Sequence, residues 1–148
     1  MVVSAPRGDP VMGIRDGGHG TVTSTHLAWT CKEYPTDCPT PLVYQGRLYV
    51  LDGDHQVMTC LDPQTGRKLW QGNLGVHEIF RGSPTGADGR IYCISERGTA
   101  MVLAAGDREL KVLATMAMHE APVRSSVAVA QRHLFIRTAK RLVCVGGR

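Results

Sequence analysis

The chain repeats itself at a fixed interval. Thr40-Pro41 and Ser83-Pro84 stand 43 residues apart, and so do Gly46-Arg47 and Gly89-Arg90, and Leu48-Tyr49 and Ile91-Tyr92. A further step of the same size reaches Ser126, and the aromatic recurs as Tyr49, Tyr92 and Phe135. Three ungapped copies at one spacing exclude an irregular fold. Each copy has room for four short strands, and a period of about 40–45 residues with four strands is the signature of a propeller blade.

The turn residues divide each copy. In the repeat at 39–81, strands are expected over 41–44, 47–51, 57–61 and 68–71, separated by Gln45-Gly46, by Asp52-Gly53-Asp54 and by a third turn described below. Leu48-Tyr49-Val50-Leu51 is apolar on both faces, whereas a strand with one wet face alternates. A blade covered on both sides accounts for this. The repeat at 82–124 gives strands over 84–86, 90–95, 100–103 and 110–114. The run at 114–117 has helical composition, but the repeat phase overrides it. The repeat at 125–148 gives 127–130, 133–137 and 141–145 and lacks an outer strand. The segment 11–38 supplies half a blade, with strands over 11–15 and 25–30. The expectation is one all-β domain, an incomplete propeller of about three and a half four-stranded antiparallel blades.

The third turn is the most specific motif. In Cys60-Leu61-Asp62-Pro63-Gln64-Thr65-Gly66-Arg67-Lys68-Leu69-Trp70, Asp62 can accept from backbone two residues on. Pro63 presets a turn and Gly66 supplies positive φ. Trp70 then lands on the next strand as a large apolar plug with one N–H to satisfy. A small residue, then Asp, Thr-Gly and Trp at this spacing resembles the docking motif of the pyrroloquinoline-quinone-like, BamB-type β-propeller repeats, with Cys60 where that family usually has Ala. Asp62, Thr65, Gly66 and Trp70 are therefore the expected docking residues. The next repeat has lost the motif, and Leu113 stands one period after Trp70. Trp29 falls close to one period before it.

The resemblance covers most of the chain and implies two kinds of protein. One is a non-catalytic scaffold in a larger periplasmic or otherwise extracytoplasmic bacterial protein. The other is a C-terminal piece of a quinoprotein oxidoreductase. A self-assembling structural module is a third possibility. The quinoproteins use adjacent cysteines and a calcium ion held by many oxygens; calcium takes about 6–8. This sequence has no adjacent cysteines, and its only asparagine is Asn73. No cofactor and no metal site are therefore expected. No Gly-x-Ser-x-Gly elbow, phosphate loop or zinc spacing occurs, and no catalytic residue is assigned.

Composition narrows partners. A net charge of +4 without a basic block, and 5% aromatic residues, argue against nucleic acid. No apolar run reaches the roughly 18 residues of a membrane span, and residues 1–15 carry no signal-peptide core. Cys31 and Cys38 flank a turn and could pair in an oxidising compartment. His77-Glu78 and His119-Glu120 each precede an arginine, Arg81 and Arg124, one period apart. Both arginines stand just before an innermost strand, at one mouth of a propeller channel. His77, His119, Arg81 and Arg124 could there receive a carboxylate or phosphate, or each arginine could pair with its own glutamate. A protein partner, a missing half-propeller or a second copy is expected to close the ring.

Overall fold

The computed structural model describes residues 9–33, 36–106 and 108–146, with the backbone of residues 2–3. Residues 34, 35, 107, 147 and 148, within the segments read above, lie outside the described residues. The strands are β1 (Val2–Val3), β2 (Val11–Ile14), β3 (Leu27–Cys31), β4 (Leu42–Tyr44), β5 (Arg47–Asp52), β6 (Val57–Leu61) and β7 (Lys68–Asn73). They continue with β8 (Thr85–Ala87), β9 (Arg90–Ile94), β10 (Thr99–Ala104), β11 (Val112–Ala117), β12 (Ala128–Ala130), β13 (His133–Arg137) and β14 (Leu142–Gly146). The one helix among the described residues, α1 (Thr23–His26), is a single turn.

The strands form four separate antiparallel meanders, β1-β2-β3, β4-β5-β6-β7, β8-β9-β10-β11 and β12-β13-β14. The fold is a partial β-propeller. Among the described residues its middle blades have four strands, its last has three, and its first has three where the sequence suggested two. Val2–Val3 pairs with β2, a pairing too short to leave a pattern in the sequence. The strand expected over 25–30 also differs, because 23–26 wind into α1 and pairing starts at Leu27. Residues 114–117 are strand, as the repeat phase required.

The repeat is obeyed residue by residue. Tyr49 pairs with Leu42 and Cys60, Tyr92 with Thr85 and Val102, and Phe135 with Ala128 and Cys144. The three aromatics therefore hold one site in three blades. The hairpins before them all use two residues of positive φ, at 47° and 71° for Gln45-Gly46, 49° and 67° for Asp88-Gly89, and 49° and 63° for Gln131-Arg132. That geometry matches the twist of the flanking strands. A register break follows Gly13, Cys60 and Val102 in their respective blades. It leaves Ala28, Leu69 and Leu113 as the extra residues, so Ala114, not Leu113, is the structural counterpart of Trp70.

The core lies in the seams between blades. Val11, Leu48, Val50 and Leu61 fill the first seam, with Trp29 against them. Tyr49, Met58, Trp70, Phe80, Ile91 and Met101 are among the residues of the second. Ile94, Val123, Val127 and Ile136 fill the third. Leu48 and Tyr49 face opposite seams, which explains why that strand is apolar throughout.

Candidate functional site

The docking turn closes as its residues dictate. Asp62 Oδ1 accepts from the N–H groups of Gln64 at 2.8 Å and Thr65 at 3.3 Å. Thr65 Oγ1 accepts from Arg67 N at 3.3 Å, and Gly66 N donates to Asp62 O at 2.8 Å. Gly66 has φ +71°, and a Cβ there would lie 2.6 Å from the Trp29 ring. The turn is therefore a flat platform for the tryptophan of the preceding blade. Trp29 Nε1 donates to Pro63 O at 3.1 Å.

Trp70 does the same one blade on. It is 7% exposed, its Nε1 donates to Gly106 O at 3.0 Å, and its ring centroid is 6.1 Å from that of Tyr49. The Tyr49 hydroxyl accepts from Gly106 N at 2.9 Å. Each tryptophan thus joins two blades, and the small residue opposite it leaves room for the ring. At Gly13, opposite Trp29, a Cβ would come within 2.3 Å of it.

At the opposite end of the blades the two arginines do not pair with their own glutamates. Arg81 reaches Asp37 at 2.8 Å and Asp54 at 3.1 Å. Arg124 Nε meets Glu96 Oε1 at 2.6 Å. Both therefore tie the entry of one blade to the turn between the second and third strands of the blade before. Partial burial pulls the Arg81 pKa down, but Asp54, Cys38 and Asp37 outweigh it and the net shift is upward. The glutamates go elsewhere. Glu78 Oε2 accepts from Ser95 Oγ at 2.5 Å, and this bond holds its pKa below the ordinary value. Glu120 accepts from Thr138 Oγ1 at 3.2 Å and pairs with Arg141 at 3.1 Å. His77 and His119 are exposed. His77 lies in a shallow depression with Glu96, Arg97 and Pro122.

The repeat positions Thr40, Ser83 and Ser126 also bond to one another, a contact not anticipated from the sequence. Thr40 N donates to Ser83 Oγ at 2.8 Å, and Ser83 N donates to Ser126 Oγ at 2.9 Å. Both bonds span the 43-residue period, which was the available signal. The cysteines are free thiols. Cys31 is buried while Cys38 is exposed beside Asp37 and Arg81. Burial pushes the Cys93 thiol up to about 12, so it has no thiolate to offer near neutrality.

The donor groups do not fit a quinone–calcium centre. Among the described residues, no three His, Cys, Asp or Glu side chains converge on a metal position. Asp52 is engaged with His55 at 2.8 Å, and Asp54 with Arg81. Among the described residues, no helix is long and apolar enough to cross a membrane.

Comparison with known proteins gives the same architecture. The chain aligns with BamB from Moraxella catarrhalis at TM-score 0.67 and 15% identity, covering 99% of this chain and 45% of that one. The quinohemoprotein alcohol dehydrogenase ADHIIG from Pseudomonas putida HK5 gives TM-score 0.61 and 15% identity over 91% of this chain and 26% of the other. A chain of a mitotic checkpoint complex gives 0.63 and 11%, over 76% and 38%. The chain thus spans less than half the length of these structures, and at such identities the likeness is one of fold. No curated protein matches it in sequence. The model of the family described as outer membrane protein assembly factor BamB matches residues 23–111, more than half of the chain, and the chain belongs to that family.

Proposed function

We propose that the chain is a non-catalytic binding scaffold, a rigid arc of blades that presents its uncovered faces to another polypeptide. The observation that carries this reading is the contrast in cover. The seam that holds Trp70 is closed by that ring and by Tyr44, whereas the last blades leave Met116 51%, Val129 42% and Leu142 67% exposed. Uncovered apolar side chains on the strands of the last blades are where an interaction surface is expected. The occupants that fit are further blades of the same architecture, a second copy set head to tail, or a protein partner. Family membership supports an extracytoplasmic setting. Arg81 and Arg124, being committed to inter-blade ion pairs, serve this scaffold as braces and not as anion receptors.

Light scattering tests the reading. At micromolar concentration the isolated chain is expected to self-associate through its uncovered faces. A monodisperse, cooperatively melting monomer would show that these faces need no partner. The oxidoreductase alternative predicts quinone retained after gel filtration, and no residue geometry described above supports it.

A further inference from the structure

The third seam contains an open cleft of about 570 Å³, lined by Ala87, Asp88, Tyr92, Val129, Arg132, Leu134 and Val145 among others. Its position in the repeat explains why it exists. In the second seam the equivalent space is occupied by Tyr44. That ring lies flat on Gly86, where a Cβ would come within 2.5 Å of it, and its hydroxyl accepts from Gly89 N at 2.9 Å. One period later Tyr44 becomes Ala87, Gly86 becomes Val129 and Gly89 becomes Arg132. All three replacements line the cleft. The plug is gone, and the hairpin that received its hydroxyl is kept with Val129 in place of the glycine floor.

The socket retains its recognition elements. Arg132 has φ 63° against 67° for Gly89, so the hairpin holds its N–H in the same conformation that binds the Tyr44 hydroxyl. An arginine at positive φ is disfavoured where the other two hairpins use glycine. Arg132 N has no hydrogen-bond acceptor among the described residues. Val129 and Val145 give apolar walls that stand 42% and 36% exposed. Asp88 and Arg132 are the charged residues of the lining, and Asp88 is already paired with Arg90. The volume lies within the range of ligand sites, about 300–1,000 Å³.

We propose that this cleft binds a tyrosine side chain presented by a second polypeptide. Its ring is held between Tyr92, Leu134 and the valine methyl groups, and its hydroxyl is held by Arg132 N–H. With Val129 in place of Gly86 the guest ring rests on the valine methyl groups and not on bare backbone. Tyr44 is the chain's own example of the complex. The proposal shares Val129 with the blade-face reading but rests on the cleft, whose lining lies within the third and fourth blades.

Methyl-detected NMR of the chain, which reads it in whatever assembly it forms, tests the proposal with N-acetyltyrosinamide as probe. The Val129 and Val145 methyl signals should shift saturably, with affinity at least threefold above that of N-acetylphenylalaninamide. Ala87→Tyr restores the internal plug and should weaken probe binding at least tenfold. The wild-type titration stands alone if that variant fails to fold. Absence of saturable shifts, equal affinity for the phenylalanine analogue, or undiminished binding in a folded Ala87→Tyr chain would each overturn the proposal. Binding of p-cresol without binding of N-acetyltyrosinamide would also overturn it, since the site would then admit a free phenol but not a residue within a chain.

Discussion

The second and third seams share one backbone and differ in what fills them. Both are bounded by blades with the same strand pairing around Tyr49 and Tyr92, and both have the same two-residue hairpin at one end. The second is closed by Tyr44 at that hairpin and by Trp70 at the docking turn. The third has Ala87 and Ala114 at the corresponding positions and is open at that end, although Ile94, Val123, Val127 and Ile136 fill the rest of it. Backbone register therefore sets where the blades lie, and single side chains decide whether the space between them is core or cleft. A repeat fold can vary one blade this way, because each blade touches only its neighbours.

The largest effect that can break this comparison is removal of the docked ring. Trp70→Ala should destabilise the chain by about 3–5 kcal/mol, the usual loss for truncating a large buried aromatic. The substitution also leaves Gly106 O without its indole donor. Denaturant melts give the value. A loss below about 1 kcal/mol would mean that the sealed seam draws little from its plug, and the distinction between the two seams would lose its energetic meaning.

Much of this was legible in the sequence for a physical reason. Tyr49, Tyr92 and Phe135 could be placed because strand register is strict where both faces are buried, so the 43-residue spacing survives into the structure. The docking turn was legible because Asp62, Thr65 and Gly66 each satisfy a local backbone demand. The partners of Arg81 and Arg124 were not, because Asp37, Asp54 and Glu96 come from neighbouring blades and no local spacing marks them. The correct counterpart of Trp70 was also hidden. Tyr92 and its partner Val102 are one residue closer in sequence than Tyr49 and Cys60, and Val102 to Ala114 is two residues longer than Cys60 to Trp70, so counting reaches Leu113 while pairing selects Ala114. The open cleft was legible in principle, since Tyr44 and Ala87 are one period apart, but only the structure shows what Tyr44 fills.

A smaller effect sharpens the comparison at the hairpins. Gln45-Gly46 and Asp88-Gly89 put glycine at the second positive-φ position, where the fourth blade has Arg132. A left-handed conformation costs a non-glycine residue about 1–2 kcal/mol. Glycine returns part of that through its freer unfolded chain, about 0.4–1 kcal/mol. Arg132→Gly should therefore stabilise the chain by about 0.5–1 kcal/mol. An unchanged or lowered midpoint would show that the guanidinium stem packs well enough to offset the strain, and the third seam would be less open than its cavity suggests.

The smallest effect depends on pH and sits in the linker that enters the third blade. Glu78 accepts the Ser95 hydroxyl at 2.5 Å, with Thr99 and Arg97 also favouring the carboxylate. Its pKa in the folded chain is consequently below the ordinary 4.5. A group whose folded pKa is depressed stabilises the native state above the unfolded value and loses that contribution as pH falls through the folded value. Glu78→Gln keeps the side-chain shape and removes the charge, so it should be less stable than wild type near neutrality. The gap should narrow on acidification below about pH 4.5, once the unfolded carboxylate begins to protonate, and close when the folded one does. Partial exposure keeps the gap small, so the informative quantity is its slope with pH in paired denaturant titrations. A gap that stays constant from neutral to acid would mean that Ser95 recognises the shape of the side chain at position 78 and not its charge. The linker would then hold the blades by packing, as the seams do.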